Sequence, residues 1–178
     1  IKTNILRIYM SEIGLIINVC NPMQRNYQYE ISAPEGKNYT DGFEPHFTPK
    51  EMLAMGVFEG KYLNSCQQEY PNDWFAEAIL SDKPNSAINH FALKSRRPLN
   101  EWRKKGWIME EDPRGWFEWY CRYYRGRRHG GMDQMQIKRW RNFSRHAGQI
   151  KANCEPGDIW CRPRQRQALL QWAHNPFI

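Results

Sequence analysis

Residues 112–131, DPRGWFEWYCRYYRGRRHGG, set Trp116, Phe117, Trp119, Tyr120, Tyr123 and Tyr124 among Arg114, Arg122, Arg125, Arg127 and Arg128. Two arrangements suit that mixture. Rings can stack on unpaired bases while guanidinium forks neutralise phosphates and meet guanine edges. Alternatively, the rings are core and the guanidinium groups lie over their faces as cation–π pairs. At helical spacing, positions 116, 120, 123 and 127 share one face and 117, 121 and 124 the next. Trp116, Tyr120 and Tyr123 are the rings that the core reading turns inward.

Three more basic clusters lie along the chain. They are Arg103, Lys104 and Lys105; then Lys138, Arg141 and Arg145, spaced i, i+3, i+7; then Arg162, Arg164 and Arg166 in RPRQR. Antiparallel helix packing would bring these and Arg127-Arg128 to one side. Trp107, Trp116, Trp119 and Tyr124 are the expected stacking rings. Gln134, Gln136, Asn142, Gln165 and Gln167 add amides of the kind used at base edges. The charge is concentrated to match: residues 1–93 carry 7 Lys/Arg against 11 Asp/Glu, whereas 94–166 carry 19 against 8, within a net charge of +7. A field of one sign concentrates polyanions. The residues therefore predict a nucleic-acid-binding protein, with DNA favoured over RNA. Two alternatives use the same surface: a DNA-modifying or repair enzyme of base-excising, glycosylase-like type, and a protein-interaction module for an acidic partner.

Catalytic signals are weak. Glu118, His129 and His146 are the candidates, but no GxGxxG, P-loop, nucleophile elbow or HExxH is present. Glu118 also fits an i,i+4 partnership with Arg122, and Asp112 and Asp133 fit helix caps. Cys154-x6-Cys161 near His146, with Cys121 or His129 as a further ligand, is the one zinc possibility; its spacing matches no common ribbon or finger. No metal and no cofactor are expected. Five cysteines at irregular spacing do not read as a secreted disulfide framework, so a reduced compartment, nuclear or cytoplasmic, is expected. IGLIINV (13–19) is too short to span a bilayer and lacks a following cleavage site, so no membrane anchor is expected.

The elements that must position these residues read as follows. Residues 4–19 and YQYEIS predict strands, and 33–46 a loop. Thr48, Pro49 and Glu51 mark a helix start, with Phe47 and Met52 placed as a staple; that helix ends near Gly56. Short helices are expected over 60–70 and 71–80, a loop over 81–90, and a helical turn or two ending at Gly106. Longer helices are expected from about 113 to 125, 133 to 153 and 163 to 174. The fold class is then mainly α, a compact helical domain with a small β element at the N-terminus. It divides into an N-terminal β/loop segment (1–45) and a basic, aromatic-rich helical domain (46–178).

TPKEMLAMGVFEGKY, LNEWRKKGWI, DPRGWFEWYCRYYRGRR, QIKRW and CEPGDIWCRPRQRQALLQWA together resemble a family of uncharacterised proteins found in cellular genomes and in large DNA viruses. The resemblance covers about 48–178. It implies no activity, cofactor or site residue, although a place in large DNA virus genomes fits work on DNA.

Overall fold

The computed structural model describes residues 12–94 and 99–178. Two strands come first, β1 (Ile16–Asn21) and β2 (Gln24–Glu30). Among the described residues six helices follow: α1 (Pro49–Ala54), α2 (Leu99–Lys104), α3 (Trp116–Arg125), α4 (Gly130–Phe143), α5 (Arg145–Asn153) and α6 (Pro163–Gln171). Single 3-10 turns occur at Gln67–Glu69, Asn72–Phe75 and Ser86–Ile88. Helices, with the 3-10 turns counted, hold 39% of the described residues and strands 8%, which overturns the mainly α expectation. Most of the chain between β2 and α3 is turn and irregular backbone.

The strands form one antiparallel hairpin with Ile17 opposite Tyr29 and Val19 opposite Tyr27. Asn21 makes its turn: Oδ1 accepts from the N–H groups of Met23 and Gln24, a side-chain mimic of a backbone turn. The part of the expected front strand before residue 12 lies outside the described residues.

α1 begins as its sequence requires. Thr48 Oγ1 accepts from Glu51 N–H at 3.2 Å, and Glu51 Oε2 accepts from Thr48 N–H at 2.7 Å. The helices expected over 60–70 and 71–80 are reduced to 3-10 turns. Asn64 explains the first: its Oδ1 accepts from Tyr62 N–H and its Nδ2 donates to the carbonyls of Gly60 and Ser81. Such bonds give the backbone an alternative to the helical ladder. In the second, Ile79 N–H donates to Leu53 O rather than to its own segment.

α3 is the central element, and every residue in it except Tyr124 is buried. Phe43 lies edge-on to Trp116, Trp119, Tyr120, Tyr123 and Trp140, with centroids 4.9–6.5 Å apart. Such pairs contribute about 0.5–1.5 kcal/mol each beyond area burial. Because Phe43 precedes residue 46, the loop segment shares the core of the helical part. The helix expected over 133–153 starts earlier, at Gly130, and divides at Ser144. The backbone stays helical there (φ −58°, ψ −21°), and Ser144 and Ala147 N–H bond three residues back. No helix among the described residues is long and apolar enough to cross a membrane.

Beyond α6, His174 is buried with its ring parallel to Trp140, centroids 4.7 Å apart, and Nε2 2.8 Å from Trp140 O. Burial holds its imidazole below the ordinary histidine value, against the opposing pull of that carbonyl. The unfolded chain therefore takes up a proton more readily near and below about pH 6.5. Stability should fall as pH drops from 7 to 5, and His174→Gln should flatten that slope in urea melts recorded at each pH. An unchanged slope in the variant would remove His174 from the account.

Candidate functional site

The arginines of the 112–131 stretch enter a buried ionic network. Arg122 is fully buried. Its Nε donates to Glu69 Oε1 at 2.7 Å, Nη2 to Glu69 Oε2 at 3.0 Å and Nη1 to Asp112 Oδ1 at 3.0 Å. Nη2 also lies 3.5 Å from Glu118 Oε1, the i,i+4 pair that the spacing predicted. Arg127 forks onto Asp112 at 2.9 and 2.6 Å. Arg114 bonds Glu118 at 2.9 Å through Nη1 and at 2.7 Å through its backbone N–H. The hairpin closes the network: Tyr29 OH donates to Glu69, Asn21 Oδ1 accepts from Arg114, and Tyr27 and Tyr29 lie under Arg122. Burial raises the Glu118 carboxyl above its ordinary value, while Arg122 and Arg114 draw it back. Asp112 thus serves these arginines, and the N-cap of α3 is Gly115.

This placement corrects part of the expected interface. Trp116 and Trp119 are 4% and 0% exposed, with Trp119 Nε1 donating to Asp133, so neither can stack on a base. Tyr124 is half-buried, edge-on to Trp74 and Tyr120. Arg127 is held by Asp112. Arg166, fully buried, donates to the carbonyls of Asp158, Cys161, Pro176 and Ile178. Arg128 lies 4.0 Å over the Tyr123 ring and donates to the carbonyls of Tyr123, Arg127, Lys37 and Asn38.

The remaining expected cations are exposed, and the ordering of several is visible. Residues 134–154 contain Lys138, Arg139, Arg141, Arg145 and Lys151 and no Asp or Glu. Lys138, Arg141 and Arg145 lie along one exposed stripe of α4 that runs into α5, with Asn142 beside it. Gln149, one turn past Arg145, accepts from Gln165 of α6, and Gln165 Oε1 accepts from Arg162 at 3.1 Å. Arg162 and the exposed Arg164 thereby extend the stripe onto the first turn of α6. On the flank, Arg139 Nη1 donates to Trp107 O at 2.8 Å, and Lys105 Nζ sits 4.7 Å over the Trp107 ring. Arg103 and Lys104 are exposed on α2 without a bond to this band. Among the described residues, no cation of the band forms an ion pair; apart from Lys50–Asp73, all ion pairs belong to the buried network. Arg141 does hold the Asp41 carbonyl.

One ring was missed by the sequence reading. Trp160 is 62% exposed, two residues before Arg162, parallel to the His90 ring at 6.2 Å. Its loop is fixed by Asp158 Oδ1, which accepts from Trp160 and Cys161 N–H, by Arg166 and by a Cys154–Cys161 disulfide. A tryptophan inside a polar turn, GDIWC, was the available signal.

The catalytic candidates do not assemble. Glu118 is sealed in the network. His129 and His146 flank α4, whose 14 residues span about 21 Å. His146 is half-buried, and burial followed by Arg145 lowers its pKa. The zinc possibility fails because the sulfurs of Cys154 and Cys161 are bonded to each other and Cys121 is buried in the core. No cluster of three or more metal-ligating side chains occurs among the described residues.

Comparison with family models, with curated proteins and with solved structures finds no match to this chain. The resemblance noted above rests on its motifs alone.

Proposed function

We propose that this protein binds nucleic acid through the α4–α5–α6 band, with Lys138, Arg141, Arg145, Arg162 and Arg164 as phosphate contacts. Trp160 and Trp107 are the exposed rings available to unpaired bases. The carrying observation is a stripe of cations with no carboxylate in 21 residues of sequence, next to a core where every carboxylate of the buried network is already matched to arginine. A solvated structural face has no such need to exclude acidic residues, since both signs interspersed are the ordinary arrangement. The preference for DNA over RNA rests on the resemblance to a family carried by large DNA viruses. The base-excising alternative loses support because its carboxylate candidate, Glu118, has no access to a substrate.

The side chains of Lys138, Arg145 and Arg164 make no hydrogen bond or ion pair among the described residues, so replacing them together by glutamine should leave the fold intact. Binding to single-stranded DNA should weaken by at least tenfold at 0.1 M salt, and the log–log salt slope should flatten by about 2. Fluorescence anisotropy with a labelled oligonucleotide measures both. Wild-type affinity and slope in the triple variant would show that nucleic acid, if bound, sits elsewhere.

A further inference from the structure

Trp160 and Phe177 are 62% and 41% exposed, and both belong to one cluster of rings drawn from three distant segments. The exposed His90 joins them, parallel to Trp160 at 6.2 Å and edge-on to Phe177 at 5.0 Å. The buried Phe91 lies 6.2 Å from each. One buried guanidinium mounts both exposed rings. Arg166 donates to the carbonyls of Asp158 and Cys161, on either side of Trp160, and to those of Pro176 and Ile178, on either side of Phe177. Phe177 N–H is also held by Asn175 Oδ1 at 2.9 Å, and the Trp160 loop by Asp158 Oδ1 and the Cys154–Cys161 disulfide. Rings grouped in the open mark a binding surface. Rings already fixed lose little conformational freedom when something lands on them.

The residues beside the rings select the occupant. Arg162, two positions after Trp160, has φ 55° and ψ 50°, the left-handed region that strains a residue with a side chain and recurs at ligand contacts. Its guanidinium is steadied by Gln165 Oε1 at 3.1 Å, and Arg164 follows on the first turn of α6. Both arginines are exposed, and neither forms an ion pair among the described residues. Of the two carboxylates in the loop, Asp158 is engaged by the N–H groups of Trp160 and Cys161, which leaves Glu155 against the two arginines. A flat π-face next to phosphate-binding cations matches a nucleotide: the base stacks on the indole and its phosphate meets a guanidinium fork.

We propose that Trp160, with His90 and Phe177 beside it, is a stacking platform for an unpaired base of a single strand whose phosphates follow Arg162 and Arg164. The platform rests on the reading of the band as the nucleic-acid surface. It adds a base-dependent contribution to affinity that the cations alone do not give.

The test compares, by fluorescence anisotropy of the full chain, a labelled oligothymidylate with an abasic strand of equal length, which carries the phosphates but no bases. At about 0.1 M salt wild type should bind the oligothymidylate about tenfold tighter or more, the size of effect that stacking gives. Trp160→Ala should lose most of that preference while keeping both its affinity for the abasic strand and its salt slope, which shows the fold and the band intact. Trp160→Phe retains a ring and should retain the larger part of the preference. Equal binding of the two strands by wild type, with a steep salt slope, overturns the platform and leaves the band standing. No binding of either strand overturns both. The platform is also overturned if Trp160→Ala keeps the full preference, or if Trp160→Phe loses as much as Trp160→Ala.

Discussion

Replacing Arg122 with methionine should bring the protein close to unfolding at room temperature. Methionine matches the length of the arginine stem but none of its donors. Glu118 would keep Arg114 and Asp112 would keep Arg127. Glu69 would keep only the Tyr29 hydroxyl, at 3.1 Å, and its carboxylate is buried. Breaking a buried pair from one side costs about 3–5 kcal/mol, because the other charge is left without a partner. That is a large part of the roughly 5–15 kcal/mol by which a domain is stable. The double variant Arg122→Met with Glu69→Gln should recover some of the loss, since neither charge is then stranded. Urea denaturation of the three proteins decides it. A loss below about 1 kcal/mol in the single variant, a value typical of exposed pairs, would mean that the network is not closed to water.

Gly126→Ala should be comparably damaging. Gly126 ends α3 with φ 118°, its N–H bonded to the carbonyls of Arg122 and Tyr123. Its own carbonyl accepts from Ser32 and Ala33 N–H at 3.0 and 3.1 Å, docking the chain that leaves β2. A Cβ there would lie 2.0 Å from Ala33 O, a backbone atom that cannot swing away. The left-handed conformation alone costs about 1–3 kcal/mol for a residue with a side chain, and separating helix from hairpin adds to it. Gly130→Ala is the control: it is helical, with nothing within 4 Å of the added methyl. It should be neutral or stabilising by up to about 1 kcal/mol. Thermal melts that rank the two variants equally would contradict this docking.

Local signals in the sequence were legible where a few neighbouring residues decide the outcome. Thr48, Pro49 and Glu51 announce α1, and the expected end of a helix near 125 is where α3 stops. Tyr120 and Tyr123 on one helical face fit a core, whereas Trp116 on the same face was expected to stack on a base and is core instead. The fates of the arginines were not legible, because they are decided by partners far along the chain. Arg122 meets Glu69 53 residues away, and Arg114 meets Asn21 93 residues away. Composition gives Arg127 and Lys138 the same charge, but only Arg127 finds a carboxylate inside. Arg166 was unreadable for another reason: it spends its donors on backbone carbonyls, which leave no trace in residue identity. The irregular path from 31 to 94 was likewise hidden, since Asn64 and Phe43 organise parts of it through side-chain bonds and ring packing rather than through periodicity.

The band on α4, α5 and α6 is tested most directly by the salt dependence of wild-type binding to single-stranded DNA. Five phosphate contacts give a slope of log affinity against log salt of about −3.5, with binding tighter than about 1 μM at 50 mM salt. A slope near zero, or binding weaker than about 1 μM at that low salt to single and double strands of both DNA and RNA, would contradict it.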